Sequence, residues 1–175
     1  MLFKDFNIKK YLNKQPPSDN SDQTKKEIIE LTKIPIRENF VKEMDDGQKV
    51  FEKIVGKDSV IKKIINDSDT VIDKLKKHFN RPRPKVLAKK FNIKMDDLEL
   101  DTMKTPAYPS GHSIQAYLLG LYLSDKYPNK KSKLMKAARD ISYSRRVAHA
   151  HYLSDSTFGE EVGKDMYEHI KNKKI

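Results

Sequence analysis

The sequence contains no cysteine, which excludes disulfide bonds and thiolate metal sites. It also contains no long apolar run. The longest such run, about residues 116–123, includes Gly120 and is far shorter than the roughly 20 residues that a membrane-spanning helix needs. Lys4 and Asp5 interrupt the N-terminus, where a secretory signal would need an unbroken apolar stretch. From these absences we expect a soluble, cytoplasmic protein.

Runs of β-branched residues that alternate with polar ones are also missing, and apolar residues recur instead at helical spacing. This pattern predicts an all-α fold. A chain of 175 residues suits a single domain. We expect residues 1–20, which end in Pro16-Pro17-Ser18-Asp19-Asn20, to form a loosely ordered N-terminal arm, and residues 21–175 to form the domain.

The helix boundaries follow from capping residues and prolines. Pro35 and Pro82 interrupt the helical pattern, Gly47 is a candidate bend, and Ser68 or Asp69 can cap a helix that ends before Pro82. The predicted helices cover about residues 21–33, 36–55, 58–66, 68–81, 86–91 and 131–148, with one more beginning after Ser110 and a last one beginning near Asp155.

The chain carries a formal charge of +11, from 36 Lys and Arg against 25 Asp and Glu. Such a charge suits phosphate esters, nucleic acid or an acidic membrane, although scattered lysines on a solvated surface explain most of it. Four arginines are more informative, because a planar guanidinium binds oxyanions with two donors at once and these four lie in or beside the motifs described next: Arg81, Arg83, Arg145 and Arg146.

Arg145 falls on the apolar stripe of the helix predicted over residues 131–148. A buried guanidinium needs an anionic partner. For an isolated arginine that partner would be an Asp or Glu, but the neighbouring motifs favour a bound phosphate.

The segment Pro109-Ser110-Gly111-His112 reads as a turn that enters a helix. Its glycine lets a ligand approach the backbone, and the unpaired N–H groups of the helix N-terminus can hold phosphate. Taken alone, the four residues fit a simple helix cap with His112 in the first turn equally well.

A second pair of residues provides a candidate nucleophile. Asp155 follows His151 by four residues, so its carboxylate can reach back and hold the imidazole in one tautomer, leaving the other ring nitrogen free to attack phosphorus. A surface hydrogen bond or a capped helix start would explain the same pair in isolation.

The motifs together are more specific. Lys76 precedes Arg83-Pro84 by six intervening residues, Pro109-Ser110-Gly111-His112 follows, and Ser144-Arg145 precedes His151 and Asp155. This order resembles the superfamily of class A bacterial acid phosphatases, type-2 phosphatidic acid phosphatases and vanadium haloperoxidases, most closely the soluble class A enzymes. The resemblance covers about residues 76–155. Lys74 with Arg81-Pro82 has the same spacing; we assign the motif to Lys76 and Arg83, and expect Lys74 and Arg81 to be solvated flanking charges.

The resemblance implies a compact helical bundle with the active site at one end of the central helices. It implies that Lys76, Arg83 and Arg145 bind phosphate oxygens and that Ser110 and the Gly111 amide add donors. His112 would protonate the leaving alcohol. His151, oriented by Asp155, would form a phosphohistidine. These residues need neither a metal nor another cofactor, and orthovanadate is expected to inhibit.

The sequence therefore predicts a phosphomonoesterase that acts on small phosphate esters or on lipid phosphates, with an anionic lipid surface as a further partner. One alternative is a haloperoxidase that uses vanadate as its cofactor. Another is a non-catalytic basic protein that binds nucleic acid or membranes, although no specific nucleic acid is expected. For three further histidines we predict surface or packing roles: His78, His149 and His169. The sequence leaves the substrate, the pH optimum and the oligomeric state open.

Overall fold

The computed structural model describes all residues, Met1–Ile175, and contains helices but no β-strand, so the predicted all-α fold is confirmed. The α-helices are α1 (Asp22–Thr32), α2 (Glu38–Asp45), α3 (Gly47–Val55), α4 (Ser59–Phe79), α5 (Pro84–Lys90), α6 (Gly111–Lys126), α7 (Lys131–Val147) and α8 (Leu153–Ile170). Short 3-10 helices cover Ile8–Tyr11, Asp101–Lys104 and Pro128–Lys130.

Helix α6 lies at the centre of the bundle, packed mainly against α7 and α8, with α4 alongside. Its apolar residues are buried on more than one side, as expected for a helix surrounded by others: Ile114, Tyr117, Leu118, Leu119 and Leu123. Even so, no helix in the chain has both the length and the apolar character that crossing a bilayer would demand.

Two glycines on α8 allow it to approach the first turn of α6 very closely. A Cβ atom at Gly159 would lie 2.7 Å from the carbonyl oxygen of Ser110, and one at Gly163 would lie 2.4 Å from that of Ile114. At this contact the Ser110 amide donates to the carbonyl oxygen of Asp155 at 3.1 Å. The close packing therefore aligns the start of α6 with the start of α8, where the two strongest sequence motifs lie.

Two predicted helix boundaries are wrong. The helix predicted over residues 36–55 is broken at Asp46, whose carboxylate caps α3 by accepting from the Lys49 amide at 3.0 Å. The helices predicted over residues 58–66 and 68–81 form the single helix α4. Ser68 does not cap a helix, because its hydroxyl donates to the Ile65 carbonyl oxygen at 2.6 Å within α4.

Residues 1–20, for which we expected a loose arm, pack against the bundle. Phe3 and Tyr11 are buried in the main hydrophobic core, and the Tyr11 hydroxyl donates to Asp165 on α8. The Tyr108 hydroxyl also donates to the Lys14 carbonyl oxygen at 2.9 Å. The sequence pattern of prolines and polar residues at the end of this segment gave no sign of its aromatic contacts.

The contact between α6 and α8 yields a stability prediction. Because a Cβ at Gly163 would meet backbone at 2.4 Å, Gly163→Ala should lower the free energy of unfolding by about 2–3 kcal/mol, the usual cost of overpacking. The measurement is denaturant unfolding. Gly47→Ala is the matched control, since the nearest atom to its new Cβ lies 4.0 Å away; equal stability of the two variants would contradict the close packing.

Candidate active site

The predicted site residues meet at the end of the bundle where α4 ends and α6 begins. A cavity of about 230 Å³ lies there, lined mainly by polar side chains. Five of the predicted residues line it: Lys76, Arg83, Gly111, His112 and His151. Lys76 comes from the last turn of α4, Arg83 precedes α5, and His151 lies in the turn before α8.

His151 is held in one orientation by contacts at both ring nitrogens. Its Nδ1 lies 3.0 Å from Asp155 Oδ2, and its Nε2 lies 3.0 Å from Arg83 Nη1. A carboxylate accepts and a guanidinium donates, so we assign the proton to Nδ1 and the lone pair to Nε2. The ring thus presents an unprotonated Nε2 on the side of the two cations.

The charge state of His151 agrees with this assignment. Burial lowers its pKa well below the usual value, and the positive charges of Arg83 and Lys76 lower it further. At neutral pH the ring is therefore uncharged, as a nucleophilic imidazole must be.

Asp155 in turn is fixed by two donors. Its Oδ2 accepts from the Tyr152 amide at 3.1 Å, and its Oδ1 accepts from Arg81 Nη1 at 2.7 Å. Burial raises the pKa of the Asp155 carboxyl, and Arg81 and the Tyr152 amide oppose that rise. The Asp155 carboxylate and the Arg81 guanidinium are thus both fully buried, and each charge compensates the other.

Arg81 is not the solvated flanking charge that we expected. It is 2% exposed, donates to Ser154 Oγ at 2.8 Å and to Glu27 Oε2 at 3.4 Å, and lies 3.6 Å above the centre of the Tyr152 ring. The doubled Arg-Pro sequence was the only signal that could have drawn attention to it. Lys74 is exposed, as expected. Of the two possible assignments, Lys76 and Arg83 are thus the residues that face the cavity.

Arg83 is oriented by backbone carbonyl groups. Its Nε donates to the Thr105 carbonyl oxygen at 2.9 Å, its Nη1 to that of Ala150 at 2.9 Å, and its Nη2 to that of Thr102 at 3.1 Å. Burial lowers the pKa of Arg83 to about 10. The guanidinium remains charged at neutral pH, with no carboxylate among these partners to neutralise it.

Lys76 is 6% exposed, and its ammonium group donates to the Pro106 carbonyl oxygen. Burial, followed by repulsion from Arg83, lowers its pKa to about 7. Asp69 and Asp73 also line the cavity, and the charge of Asp73 only partly offsets the lowering of the Lys76 pKa. A small anion bound between Lys76 and Arg83 would relieve the repulsion between them.

Arg145 pairs with a carboxylate in the ligand-free structure. It is buried, and its Nη1 donates to Asp45 Oδ1 at 2.7 Å, while its Nε contacts Ser144 Oγ at 3.0 Å. This contact is an ion pair with an Asp, the kind of partner that the sequence suggested for an isolated buried arginine. Arg145 does not line the cavity, and its contact with phosphate stays a prediction.

Asp45 also contacts His112, the predicted general acid. The His112 Nε2 lies 3.0 Å from the Asp45 carbonyl oxygen and therefore carries a proton. Burial and then the charge of Arg145 lower the pKa of His112 to about 4. In the ligand-free protein the ring is neutral near pH 7, with its Nε2 proton directed at the backbone at the end of α2.

Ser110 acts as the N-cap of α6. It is fully buried, and its Oγ accepts from the Ser113 amide at 3.3 Å and from the Ser113 hydroxyl at 3.0 Å. Gly111, and not Ser110, lines the cavity. The simple helix cap is therefore present, and donation from Ser110 to phosphate stays a prediction.

The remaining histidines lie outside the cavity. His149 is buried, with its ring nitrogens each 2.7 Å from a backbone carbonyl oxygen, those of Asp96 and Ile34. His78 is exposed, and His169 packs near Phe6. His149 thus has the packing role predicted from the sequence.

Comparison with known proteins agrees with the motifs. Residues 64–163 match the family model of the PAP2 superfamily. Over 88 residues the chain is 35% identical to the non-specific acid phosphatase of Salmonella typhimurium and equally to that of Salmonella typhi. Each alignment covers 50% of this chain and 35% of the relative, so the aligned part spans about a third of those enzymes. The chain belongs to the PAP2 superfamily.

The electrostatics of the cavity yield a prediction for Lys76. NMR of protein labelled at lysine should show one side chain that titrates with a pKa of about 7, and this signal should be absent in Lys76→Met. Because Arg83 contributes to the lowered pKa, Arg83→Met should shift the midpoint upward. If every lysine signal titrates at the usual high pH, the proposed burial of Lys76 beside Arg83 is wrong.

Proposed function

We propose that this protein is a phosphomonoesterase, an acid phosphatase-like hydrolase that releases inorganic phosphate from small phosphate esters without a metal ion. The observation that carries the proposal is the neutral His151 ring, oriented by Asp155, whose Nε2 faces a cavity containing Lys76 and Arg83. Lipid phosphates belong to the same proposal, because their reacting group is identical. The names of the Salmonella relatives support a phosphatase over a haloperoxidase.

The first step transfers the phosphoryl group to His151. The phosphate dianion binds between Lys76 and Arg83, and Arg83 Nη1 moves from His151 Nε2 to a phosphate oxygen. The freed lone pair attacks phosphorus, the bond from phosphorus to the alcohol oxygen breaks, and its electron pair leaves with the alcohol. Fixed cations stabilise the charge on the equatorial oxygens, and Asp155 stabilises the imidazolium.

His112 donates the proton that the leaving alcohol needs. Its pKa of about 4 in the ligand-free protein reflects burial and nearby cations. A bound phosphate dianion offsets those cations, so substrate binding raises the pKa of His112 toward the range in which it can act as an acid.

The second step releases phosphate. The neutral His112 left by the first step accepts a proton from a water molecule as the water oxygen attacks the phosphorus of phosphohistidine. The bond between phosphorus and Nε2 breaks, its electrons return to the ring as the lone pair, and inorganic phosphate dissociates. Arg83 then donates again to Nε2, as in the ligand-free geometry.

The test is release of inorganic phosphate from an aryl phosphate. His151→Ala should abolish turnover because it removes the nucleophile. Asp155→Asn should lower kcat by about 100-fold or more because the ring loses its orienting carboxylate. His78→Ala, a substitution at an exposed histidine outside the cavity, is the matched control and should leave the rate unchanged. Full activity of folded His151→Ala would refute the proposal.

A further inference from the structure

A second cavity, of about 360 Å³, adjoins the phosphate cavity. The two share the residues Thr102, His112 and Gln115. From these shared residues the second cavity extends along the faces of α3, α4 and α6. It therefore begins at the residue that protonates the leaving group in the proposed reaction.

The lining of this second cavity differs from that of the phosphate cavity. Five of its twelve lining residues are hydrophobic, among them Phe51 from α3, Ile65 from α4 and Leu119 from α6, against one of eleven in the phosphate cavity. Its charged side chains are the carboxylates of Asp45, which pairs with Arg145 at 2.7 Å, and Asp46, which pairs with Lys49 at 3.0 Å, and no lysine or arginine lines the cavity itself. An anion placed there would lose hydration without gaining a positively charged partner.

The geometry of phosphoryl transfer connects the two cavities. The attacking and leaving atoms lie roughly in line across phosphorus, so the alcohol departs on the side opposite His151. His112 must lie next to the departing oxygen to protonate it. The organic part of the substrate then points past His112, in the direction of the second cavity.

We propose that the second cavity is the leaving-group compartment, and that it selects phosphate esters of apolar alcohols that carry no further anionic group. This inference rests on the proposed phosphatase function. Apolar walls favour an aryl or alkyl group, and the two carboxylates disfavour a second phosphate or a carboxylate on the alcohol.

A third cavity is the alternative location for the leaving group, and it predicts the opposite charge preference. It has a volume of about 400 Å³ and adjoins the phosphate cavity at Arg83 instead of His112. Besides Arg83, three lysines contribute to its lining, Lys85, Lys89 and Lys104, and they outnumber its two carboxylates, Glu99 and Asp97, the latter paired with Lys85 at 2.7 Å. If the alcohol occupied this cavity, an anionic substituent would be favoured. The charge preference of the enzyme therefore reports which of the two cavities holds the leaving group.

The experiment compares three aryl phosphates whose phenols have similar acidity but different para substituents. These are ethylphenyl phosphate, which is neutral at the substituent, tyramine phosphate, which is cationic, and the phosphate ester of hydroxyphenylpropionic acid, which is anionic. The inference predicts kcat/KM roughly tenfold lower for the anionic ester than for the neutral one, as expected for a charge within several ångströms of two carboxylates in a partly hydrated site. Tyramine phosphate should be hydrolysed at least as well as the neutral ester.

A pair of variants tests whether the second cavity is responsible. Asp46→Asn removes one carboxylate and keeps a side chain that can cap α3, so it should raise the ratio of kcat/KM for the anionic ester to kcat/KM for the neutral ester about two- to threefold. Asp58→Asn is the matched control, because Asp58 caps α4 by accepting from the Val60 amide and lines neither cavity. This control variant should leave the ratio of the two kcat/KM values unchanged.

The outcomes separate failure of the compartment assignment from failure of the proposed phosphatase function. Hydrolysis of all three esters at similar rates, or a preference for the anionic ester, would overturn the assignment of the compartment while leaving the phosphatase function intact. Discrimination that Asp46→Asn does not reduce would also overturn the assignment. Phosphate release from none of the esters would overturn the proposed function and this inference with it.

Discussion

The ion pair between Arg81 and Asp155 is the interaction on which the geometry of the site depends. Both side chains are fully buried, and Arg81 Nη1 lies 2.7 Å from Asp155 Oδ1. Removing one partner of such a pair leaves an uncompensated charge and commonly costs about 3–5 kcal/mol. The other carboxylate oxygen contacts His151, so the same pair that is costly to disrupt also fixes the ring that is proposed to attack phosphorus.

The surrounding helices support this ion pair from several directions. Glu27 of α1 contacts Arg81 at 3.4 Å, and it accepts from the Ser154 amide at 2.7 Å. Tyr152 packs under the guanidinium. The close contact of α8 with α6 brings the backbone of Asp155 against that of Ser110. Residues outside the matched family region therefore hold the site residues in position, with α1 supporting Asp155 and α2 supplying the partner of Arg145.

Local patterns in the sequence predicted much of the fold, and long-range contacts account for most of the differences. Helical periodicity and the N-cap Ser110 predicted α6, and the spacing of Lys76 from Arg83-Pro84 identified the pair of cations that line the cavity. Sequence reasoning did not find the partners of Arg81 and Arg145. Glu27 and Asp45 lie 54 and 100 residues away from them along the chain, and no local pattern relates residues at that separation.

The central claim is that three separate stretches of the chain bind one tetrahedral anion. The most direct test is a crystal structure of the protein with orthovanadate, which adopts the five-coordinate geometry of phosphorus during transfer. Our account predicts vanadium bonded to His151 Nε2, with its oxygens contacting Lys76, Arg83 and the Gly111 amide. Vanadate bound elsewhere in a well-ordered crystal, with His151 still paired to Arg83, would contradict it.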